Sequence, residues 1–230
     1  MNELYRGFRA GNVFTEANAN LRAERLTGAE GGAIVTGWNQ RLMLRGNFFW
    51  NEITRPVANV TLTTTPNLIT RQRQNLGSTV SQGVEFEISG QVSNSITISG
   101  GYEYTHATVT SFTVDPALEG LNPSLVGLDI PQVPRNQFDF QARYTRPFIL
   151  LAVQGHFGGN QFDDDQNTFL LRRYFTLDAT ASHKLRPGID LFVAVENLLN
   201  QRYDVARTPV LMVGPPILVR GGVHLQFGRR

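Results

Sequence analysis

The sequence lacks cysteine and contains few charged residues. Without thiols the chain forms neither disulfides nor thiolate metal sites, which fits an oxidising compartment or a cell envelope. Charged residues make up 17% of the chain, below the share of about 25% usual in soluble domains. Lys184 is the single lysine and the net charge is +2, so no basic surface for nucleic acid is expected.

Long apolar runs are also missing. No run of about 18 apolar residues occurs, which excludes a transmembrane helix. Met1 leads directly into polar and charged residues, so no signal peptide is recognisable. Because an exported barrel requires a signal, we expect this chain to be a piece of a longer protein.

Motifs for catalysis are absent as well. The sequence has no phosphate-binding GxxxxGK[ST] loop, no HExxH and no CxxC. Asp163-Asp164-Asp165 offers hard oxygen ligands for calcium, but we interpret the run as a solvated tip of an outer loop. The four histidines lie on separate segments and are interpreted as ordinary polar positions. We therefore predict no catalytic residue, no metal site, no cofactor and no enzymatic activity.

What the sequence does contain is strict alternation of apolar and polar residues. In the last segment one face carries Ile217, Val219, Val223, Leu225 and Phe227, and the other carries Arg220, His224 and Gln226. This period of two predicts β-strands with one apolar and one polar face. About nine such strands follow one another between residue 25 and the end of the chain.

The connections between these strands alternate in length. Short turns are expected near residues 38, 94, 146 and 187, and long segments near 65, 122, 165 and 206. Tight turns on one side and long loops on the other are typical of a membrane β-barrel. Residues 1–24 lack periodicity and are interpreted as an outer loop, and residues 54–77 as a long Thr-rich segment.

Periodicity does not distinguish the inside of a sheet from its outside. A soluble β-sandwich packs its apolar faces together, whereas a wide barrel turns them toward lipid and its polar faces toward the lumen. In the barrel, Phe138, Leu151, Leu177 and Val193 point outward. A small stand-alone outer-membrane pore is the other alternative, and an even number of strands would favour it.

Three stretches resemble a known family. The segment 195–203, VENLLNQRY, precedes a loop and a strand ending at Phe227, and is similar to the C-terminal signature of TonB-dependent outer-membrane receptors. The segment 18–24, NANLRAE, resembles the family's Asn-Pro-x-Leu-x-x-Glu motif, with Ala19 in place of proline. The segment 83–87, GVEFE, resembles its Gly-hydrophobic-Glu-hydrophobic-Glu strand.

The resemblance implies an all-β fold, a fragment of an antiparallel up-and-down transmembrane barrel in the bacterial outer membrane. The family barrel has about 22 strands around an N-terminal plug. Residues 1–230 are then the C-terminal segment of such a barrel, with 1–24 as outer loop, 25–230 as strands, turns and loops, and the plug absent. A fragment that starts in an outer loop and ends in the periplasm holds an odd number of strands.

The resemblance also implies a function and partners. The function is uptake of a scarce nutrient such as a ferric siderophore or cobalamin, with this chain as the barrel part only. The implied partners are the plug, the remaining barrel strands, the TonB energy-coupling complex acting through the plug, and the barrel-assembly machinery. Outer-membrane lipid, lipopolysaccharide and the ferric siderophore or similar ligand complete the set.

Site residues follow from the same reasoning. Phe227 is expected to be the assembly signal. Three loop arginines, Arg71, Arg73 and Arg207, are candidates for attracting an anionic iron chelate, or for pairing with lipopolysaccharide or loop acids. The residues expected to face the lumen, some of them as a ladder of mixed charge, are Glu85, Glu87, Glu103, Arg135, Asp139, Arg143, Asp178, Glu196, Arg220 and His224.

Overall fold

The computed structural model describes residues 2–113 and 124–227, so part of the predicted loop near residue 122 and residues 228–230 lie outside the described residues. The elements are, in chain order, α1 (Asn2–Tyr5), β1 (Phe8–Ala10), β2 (Val13–Glu16), β3 (Arg25–Gly37), β4 (Leu42–Thr54), β5 (Val57–Thr65), β6 (Leu68–Asn75), β7 (Ser78–Ser93), β8 (Ile96–Ser111), β9 (Asn136–Arg146), β10 (Ile149–Gly158), β11 (Gln161–Phe162), β12 (Leu170–Leu171), β13 (Tyr174–Arg186), β14 (Ile189–Glu196), β15 (Asp204–Ala206), β16 (Met212–Val213) and β17 (Leu218–Leu225).

One large antiparallel sheet, which we call the wall, dominates the structure. Its nine strands run in the order β3-β4-β7-β8-β9-β10-β13-β14-β17, so each strand lies beside its neighbour along the chain. The prediction of nine strands in an up-and-down arrangement is confirmed. In the described part of the chain the sheet does not close, and β3 and β17 form its two edges.

The apolar side chains of the wall lie on one face and are not covered. Phe138 is 41% exposed, Leu151 41% and Val193 44%, and Phe86 reaches 56%. In a sandwich such residues would be packed between two sheets and almost fully buried. Because they remain open along the length of the strands, the sandwich alternative is wrong and the barrel arrangement is the correct one.

The two ends of the wall differ as the sequence predicts. Short turns join β3 to β4, β7 to β8, β9 to β10 and β13 to β14, and the long connections lie at the opposite end. The last short turn requires Gly188, which has a φ of 83° and whose ideal Cβ would lie 2.8 Å from the Gln226 carbonyl oxygen. A residue with a side chain would be strained there.

The interpretation of residues 1–24 as loop is partly wrong, and residues 54–77, interpreted as a long Thr-rich segment that could be extended at its ends, are extended over most of their length. Both regions contribute strands to a second, four-stranded sheet in the order β1-β2-β6-β5, at the long-loop end of the wall. β2 pairs in parallel with β6, starting with Val13 opposite Ile69. Since these partners are far apart in sequence, local periodicity gives no signal for the pairing.

A small apolar core lies under this second sheet. It joins Val60 of β5, Leu76, Val109 of β8 and Leu125, each no more than 4% exposed, and Phe112 and Leu128 pack against it. The second sheet together with the described residues of the long connections, 55–77, 112–113, 124–135, 159–173 and 197–217, is called the outer layer below. Among the described residues, no helix is long and apolar enough to cross a membrane.

Candidate functional site: the polar face and the outer layer

The polar face of the wall carries ion pairs between neighbouring strands. Glu87 on β7 lies opposite Arg45 on β4, and their charged groups are 3.7 Å apart. On β9 and β10, the Asp139 carboxylate lies 2.7 Å from His156 Nδ1. Both side chains of the Arg45–Glu87 pair are 49% exposed. In the other pair the Asp139 side chain is 65% exposed and the His156 side chain 37%.

Most of the other predicted lumen residues form hydrogen bonds or an ion pair with neighbouring side chains. Glu85 accepts a hydrogen bond from Asn47 at 3.4 Å, and Asp178 accepts one from Gln154 at 3.2 Å. Further contacts join Thr105 to Glu103, Arg143 to Thr145, and Arg220 to Glu196, while His224 lies opposite Asp190 in the register.

The charged pairs on the polar face differ from those predicted from the sequence. Glu87 and Asp139 pair with Arg45 and His156, which were not among the predicted site residues, rather than with Arg135 or Arg143. Arg135 lies just before β9, forms a 2.8 Å ion pair with Asp129, and lines a cavity with residues of the apolar face. The structure therefore separates Arg135 from the polar row in which it was expected.

His156 links the polar face to the outer layer. Its Nε2 atom lies 3.2 Å from the Tyr174 hydroxyl, and the Tyr174 ring stacks on the Tyr203 ring with centroids 4.1 Å apart. Asp139, His156 and Asp178 also line a cavity of about 610 Å³ on the polar face. A polar, partly aromatic depression of this size is large enough for a small organic ligand.

Asp163 ties three long connections together. One carboxylate oxygen accepts a 2.8 Å hydrogen bond from the Gln132 side chain. The other accepts hydrogen bonds from the Arg207 amide (2.7 Å) and from the Thr208 amide and hydroxyl (2.6 and 2.8 Å). Asp163 is only 9% exposed. Buried charge with several donors of this kind fixes loops strongly to one another.

Asp165 joins the same connection to the second sheet. Its carboxylate accepts hydrogen bonds from the Thr61 amide at 3.0 Å and the Thr61 hydroxyl at 2.7 Å. Asn167 adds a further link, because its side-chain oxygen accepts from the Asp129 amide and its nitrogen donates to the Asp129 carbonyl. The long connections are thus held in one arrangement by the segment 163–167.

The interpretation of Asp163-Asp164-Asp165 as a solvated tip is wrong. Each carboxylate accepts protein hydrogen bonds, and Asp164 accepts from the amides of Thr168 and Phe169. Among residues 2–113 and 124–227, no group of three or more metal-ligating side chains is placed to hold an ion. The Asn167-Thr168 pair that follows is a sequence signal for a closed turn, since such residues often close tight turns.

Burial and hydrogen bonding shift the pKa values of Asp163 and Asp165 in opposite directions. Burial alone would raise the pKa of Asp163, but the hydrogen bonds from Gln132, Arg207 and Thr208 outweigh it and hold that pKa below its ordinary value. Burial raises the pKa of Asp165, only partly offset by the donors of Thr61. Burial also lowers the pKa of Arg71, against the attraction of Asp165.

Two of the three predicted ligand-loop arginines come together. Arg71 and Arg73 on β6 line the outer-loop cavity, a space of about 630 Å³ between the second sheet and the connections that carry Asp129, Asp163–Asp165 and Thr208. Arg71 Nε donates to the Thr15 hydroxyl at 3.1 Å. Arg207 instead donates through its backbone to Asp163, and its guanidinium carbon lies 5.9 Å from the centre of the Phe169 ring.

Phe227 lies two residues beyond the end of β17 and is 89% exposed. The ordered ladder stops at Leu225, which pairs with Ile189, and the Gln226 amide donates to the Gly188 carbonyl. Phe227 is thus an exposed aromatic side chain just beyond the last paired strand. Its role as an assembly signal stays a prediction.

Comparison with known proteins agrees with this geometry. The family model described as TonB dependent receptor-like, beta-barrel, matches residues 1–198. The chain belongs to the TonB-dependent receptor family. The match spans most of the wall and all of the outer-layer residues discussed above except those after residue 198. As a member of this family the chain is part of a β-barrel of the outer membrane.

A curated relative shares part of the sequence. The ferrichrome outer membrane transporter/phage receptor of Escherichia coli K12 is 28% identical over 136 residues, which cover 55% of this chain and 17% of the relative. This TonB-dependent receptor chain therefore corresponds to a small part of that protein.

Solved structures share the fold. The siderophore receptor PiuA from Acinetobacter baumannii superposes with a TM-score of 0.71 at 18% identity, covering 87% of this chain and 28% of that one. The ferric yersiniabactin uptake receptor FyuA from Yersinia pestis gives 0.69 at 18% identity, covering 89% and 30%. The TonB-dependent receptor chain described here spans less than a third of either.

Proposed function

We propose that this chain forms part of the barrel of an outer-membrane uptake receptor for a scarce nutrient, with the polar face of the wall lining the lumen. The observation that carries the proposal is the outer-loop cavity, which the Asp163 hydrogen bonds hold open at the long-loop end of the strands. A cavity that is organised before binding loses little conformational entropy when a ligand enters.

An anionic ferric chelate is the ligand class that we propose, and cobalamin is the second candidate. The relatives named above include a ferrichrome transporter, a siderophore receptor and a ferric yersiniabactin uptake receptor. Arg71 and Arg73 supply positive charge to the cavity. The oxygens of Asp163 and Asp165 accept hydrogen bonds from amide and hydroxyl donors, which offset part of the negative charge that faces an anion in the cavity.

The transport step requires the rest of the receptor. We propose that the outer layer captures the ligand, that the plug blocks the lumen, and that energy from the TonB complex moves the plug. In this division of labour the lumen-facing residues, such as Asp139, Asp178 and Glu196, hold the plug by hydrogen bonds. Phe227 would be recognised by the barrel-assembly machinery. The chain carries ligand and plug contacts and performs no bond chemistry.

The ligand class can be tested in the receptor that contains this chain. The double variant Arg71→Gln and Arg73→Gln removes both charges and retains hydrogen-bonding side chains. We expect binding of a negatively charged ferric siderophore to weaken roughly tenfold or more, because two charge-assisted contacts are lost. Binding is measured by titration with the iron-loaded siderophore, and uptake with radioactive iron.

Two controls make the result specific. Arg41→Gln removes a charge from the short-turn end, where Arg41 precedes β4 and donates its amide to the Trp38 carbonyl. It should leave binding unchanged. A neutral ferric siderophore should bind the double variant as it binds the parent. Unchanged uptake of the anionic chelate by the double variant would remove the proposed role of the two arginines.

A further inference from the structure

Part of the lining of the outer-loop cavity is apolar, and binding of an anion does not account for it. Ile69 lies on β6 two residues before Arg71, so both side chains leave the strand on the same face, about 7 Å apart along it. Val13 of β2 lies opposite Ile69 in the parallel register. Ile130 and Phe169, from two different long connections, also line the cavity. The charged part of the cavity therefore has an apolar neighbour.

This apolar lining is more than the edge of the small core. The four residues of that core are at most 4% exposed, and Ile130 packs against them, whereas Ile69 and Phe169 do not belong to the cluster. Ile69, Ile130 and Phe169 are all half-buried, so part of each side chain remains open. Apolar side chains that line a cavity with a few polar groups are typical of sites for an organic ligand.

Arg71 supplies a positive charge beside the apolar lining. Its Nε atom donates to the Thr15 hydroxyl, and among the described residues this is the only hydrogen bond of the guanidinium group. Burial lowers the pKa of Arg71, because water is partly excluded from its charge. The terminal nitrogens therefore keep donors for an anionic group, in a place where the scarcity of water strengthens the attraction.

The carboxylates of the lining already have partners. Asp129 forms its 2.8 Å ion pair with Arg135, and Asp163, Asp164 and Asp165 accept the hydrogen bonds described above. Asp165 is the carboxylate that opposes an anion at Arg71, since it attracts that guanidinium group. Burial raises the pKa of Asp165, which weakens this opposition.

We propose that the outer-loop cavity selects anionic ferric chelates that carry a short acyl chain next to the anionic group. The anionic group binds to Arg71, and the acyl chain covers Ile69, Ile130 and Phe169. This inference rests on the proposed uptake function and narrows its ligand class. A chelate without the chain leaves the apolar lining in contact with water, and each methylene group removed from water contributes about fourfold in affinity.

The test compares two synthetic ferric chelates with the same anionic head, one bearing an octanoyl group and the other an acetyl group. The complete receptor is titrated in lipid nanodiscs, and empty nanodiscs correct for partition into lipid. The parent should bind the octanoyl chelate roughly tenfold or more tightly than the acetyl chelate. Ile69→Thr keeps the β-branched shape but adds a hydroxyl, and it should reduce this ratio about threefold or more. Its affinity for the acetyl chelate should stay that of the parent, which also reports that the variant is folded.

Three further variants make the result specific. Ile69→Val keeps an apolar β-branched side chain and should retain the ratio. Leu68→Thr introduces the same polar residue on the opposite face of β6 and should retain it too. Arg71→Gln should weaken the binding of both chelates by the same factor, because both carry the same anionic head.

The outcomes separate this inference from the uptake function. Equal affinity of the parent for the two chelates would overturn the acyl-chain preference and leave the proposed uptake of anionic chelates standing. A preference for the octanoyl chelate that Ile69→Thr does not reduce would overturn the inference as well, because the chain would then bind elsewhere. Failure of both chelates to bind to the parent would refute the uptake proposal, and the acyl-chain preference with it.

Discussion

The wall and the outer layer are stabilised in different ways. In the wall, large apolar residues such as Phe86 and Val193 are about half exposed, and the ion pair of Arg45 with Glu87 is open to solvent on the polar face. In the outer layer, Val60 and Leu125 are at most 2% exposed, and Asp163 is buried with four donors around it.

This contrast shows where individual side chains matter. The wall is held by continuous backbone pairing between nine strands, and lipid covers its apolar face in the membrane. Single side chains on its polar face therefore contribute little to the stability of the wall. The outer layer has few strands and a small core, so its arrangement depends on particular buried contacts. Substitutions in the two regions should therefore differ widely in their effects.

The largest difference is expected at Asp163. Asp163→Ala removes a buried acceptor. The Gln132 side chain and the amides of Arg207 and Thr208 then lose their hydrogen-bond partner. The expected cost is about 3–5 kcal/mol of outer-layer stability, by the usual values for lost hydrogen bonds to a charged group. Amide hydrogen exchange should increase in the long connections, while the wall strands keep their protection.

The matched wall variant is Asp139→Asn. Among the described residues the Asp139 carboxylate has one hydrogen-bond partner, His156, and its side chain is 65% exposed. Its substitution should change exchange in neither region. If Asp163→Ala left the connections as protected as in the parent, the outer layer would not depend on its buried carboxylate and the contrast would fail.

Much of the wall was predictable from the sequence because strand alternation is a local property. The segments around Val84, Phe138 and Leu191 each show a period of two, and all lie in strands of the wall. The turn lengths identified the arrangement as a barrel. The sheet β1-β2-β6-β5 was missed, since the parallel pairing of Val13 with Ile69 leaves no mark in either segment alone.

The contacts of the outer layer were harder to predict from the sequence than the strands of the wall. Arg71 and Arg73 were expected in a loop, but they lie on β6 of the second sheet, and their proximity to Asp165 depends on how distant connections fold over one another. The role of Asp163 is a further example. A run of three aspartates ordinarily indicates a solvated loop, and the donors that compensate the buried charge of Asp163, among them those on Gln132 and Thr208, are remote in sequence.

A smaller effect on the stability of the outer layer is expected when the pH is lowered. Burial raises the pKa of Asp165. Between the ordinary carboxyl pKa of about 4 and this raised pKa, Asp165 is protonated in the folded outer layer and ionised in the unfolded chain. Asp165 therefore adds stability as the pH falls through that window. Asp163, whose pKa is lowered, contributes stability above the ordinary value that is lost as the pH falls below it.

The measurement is the protection factor of the Asp129 amide, which donates to the non-titrating Asn167 side chain in the same layer, from neutral to mildly acidic pH. Protection should rise in the parent as acid protonates Asp165, and this rise should be absent in Asp165→Asn. Asp164, which opposes ionisation of Asp165, and Arg71 beside it are present in both proteins. A pH profile of equal slope in the two proteins would show that Asp165 titrates as it does in an unfolded chain.

The smallest effect is expected on the polar face. Arg45→Gln removes the 3.7 Å ion pair with Glu87, in which both side chains are 49% exposed. Exposed pairs of this kind contribute about 0–1 kcal/mol, because solvent screens the charges and ordering two long side chains costs entropy. The urea midpoint of wall unfolding, followed by tryptophan fluorescence from Trp50 on β4, should shift little. A loss comparable to that of Asp163→Ala would mean that polar side chains stabilise the wall as strongly as the outer layer, and the distinction between the two regions would no longer hold.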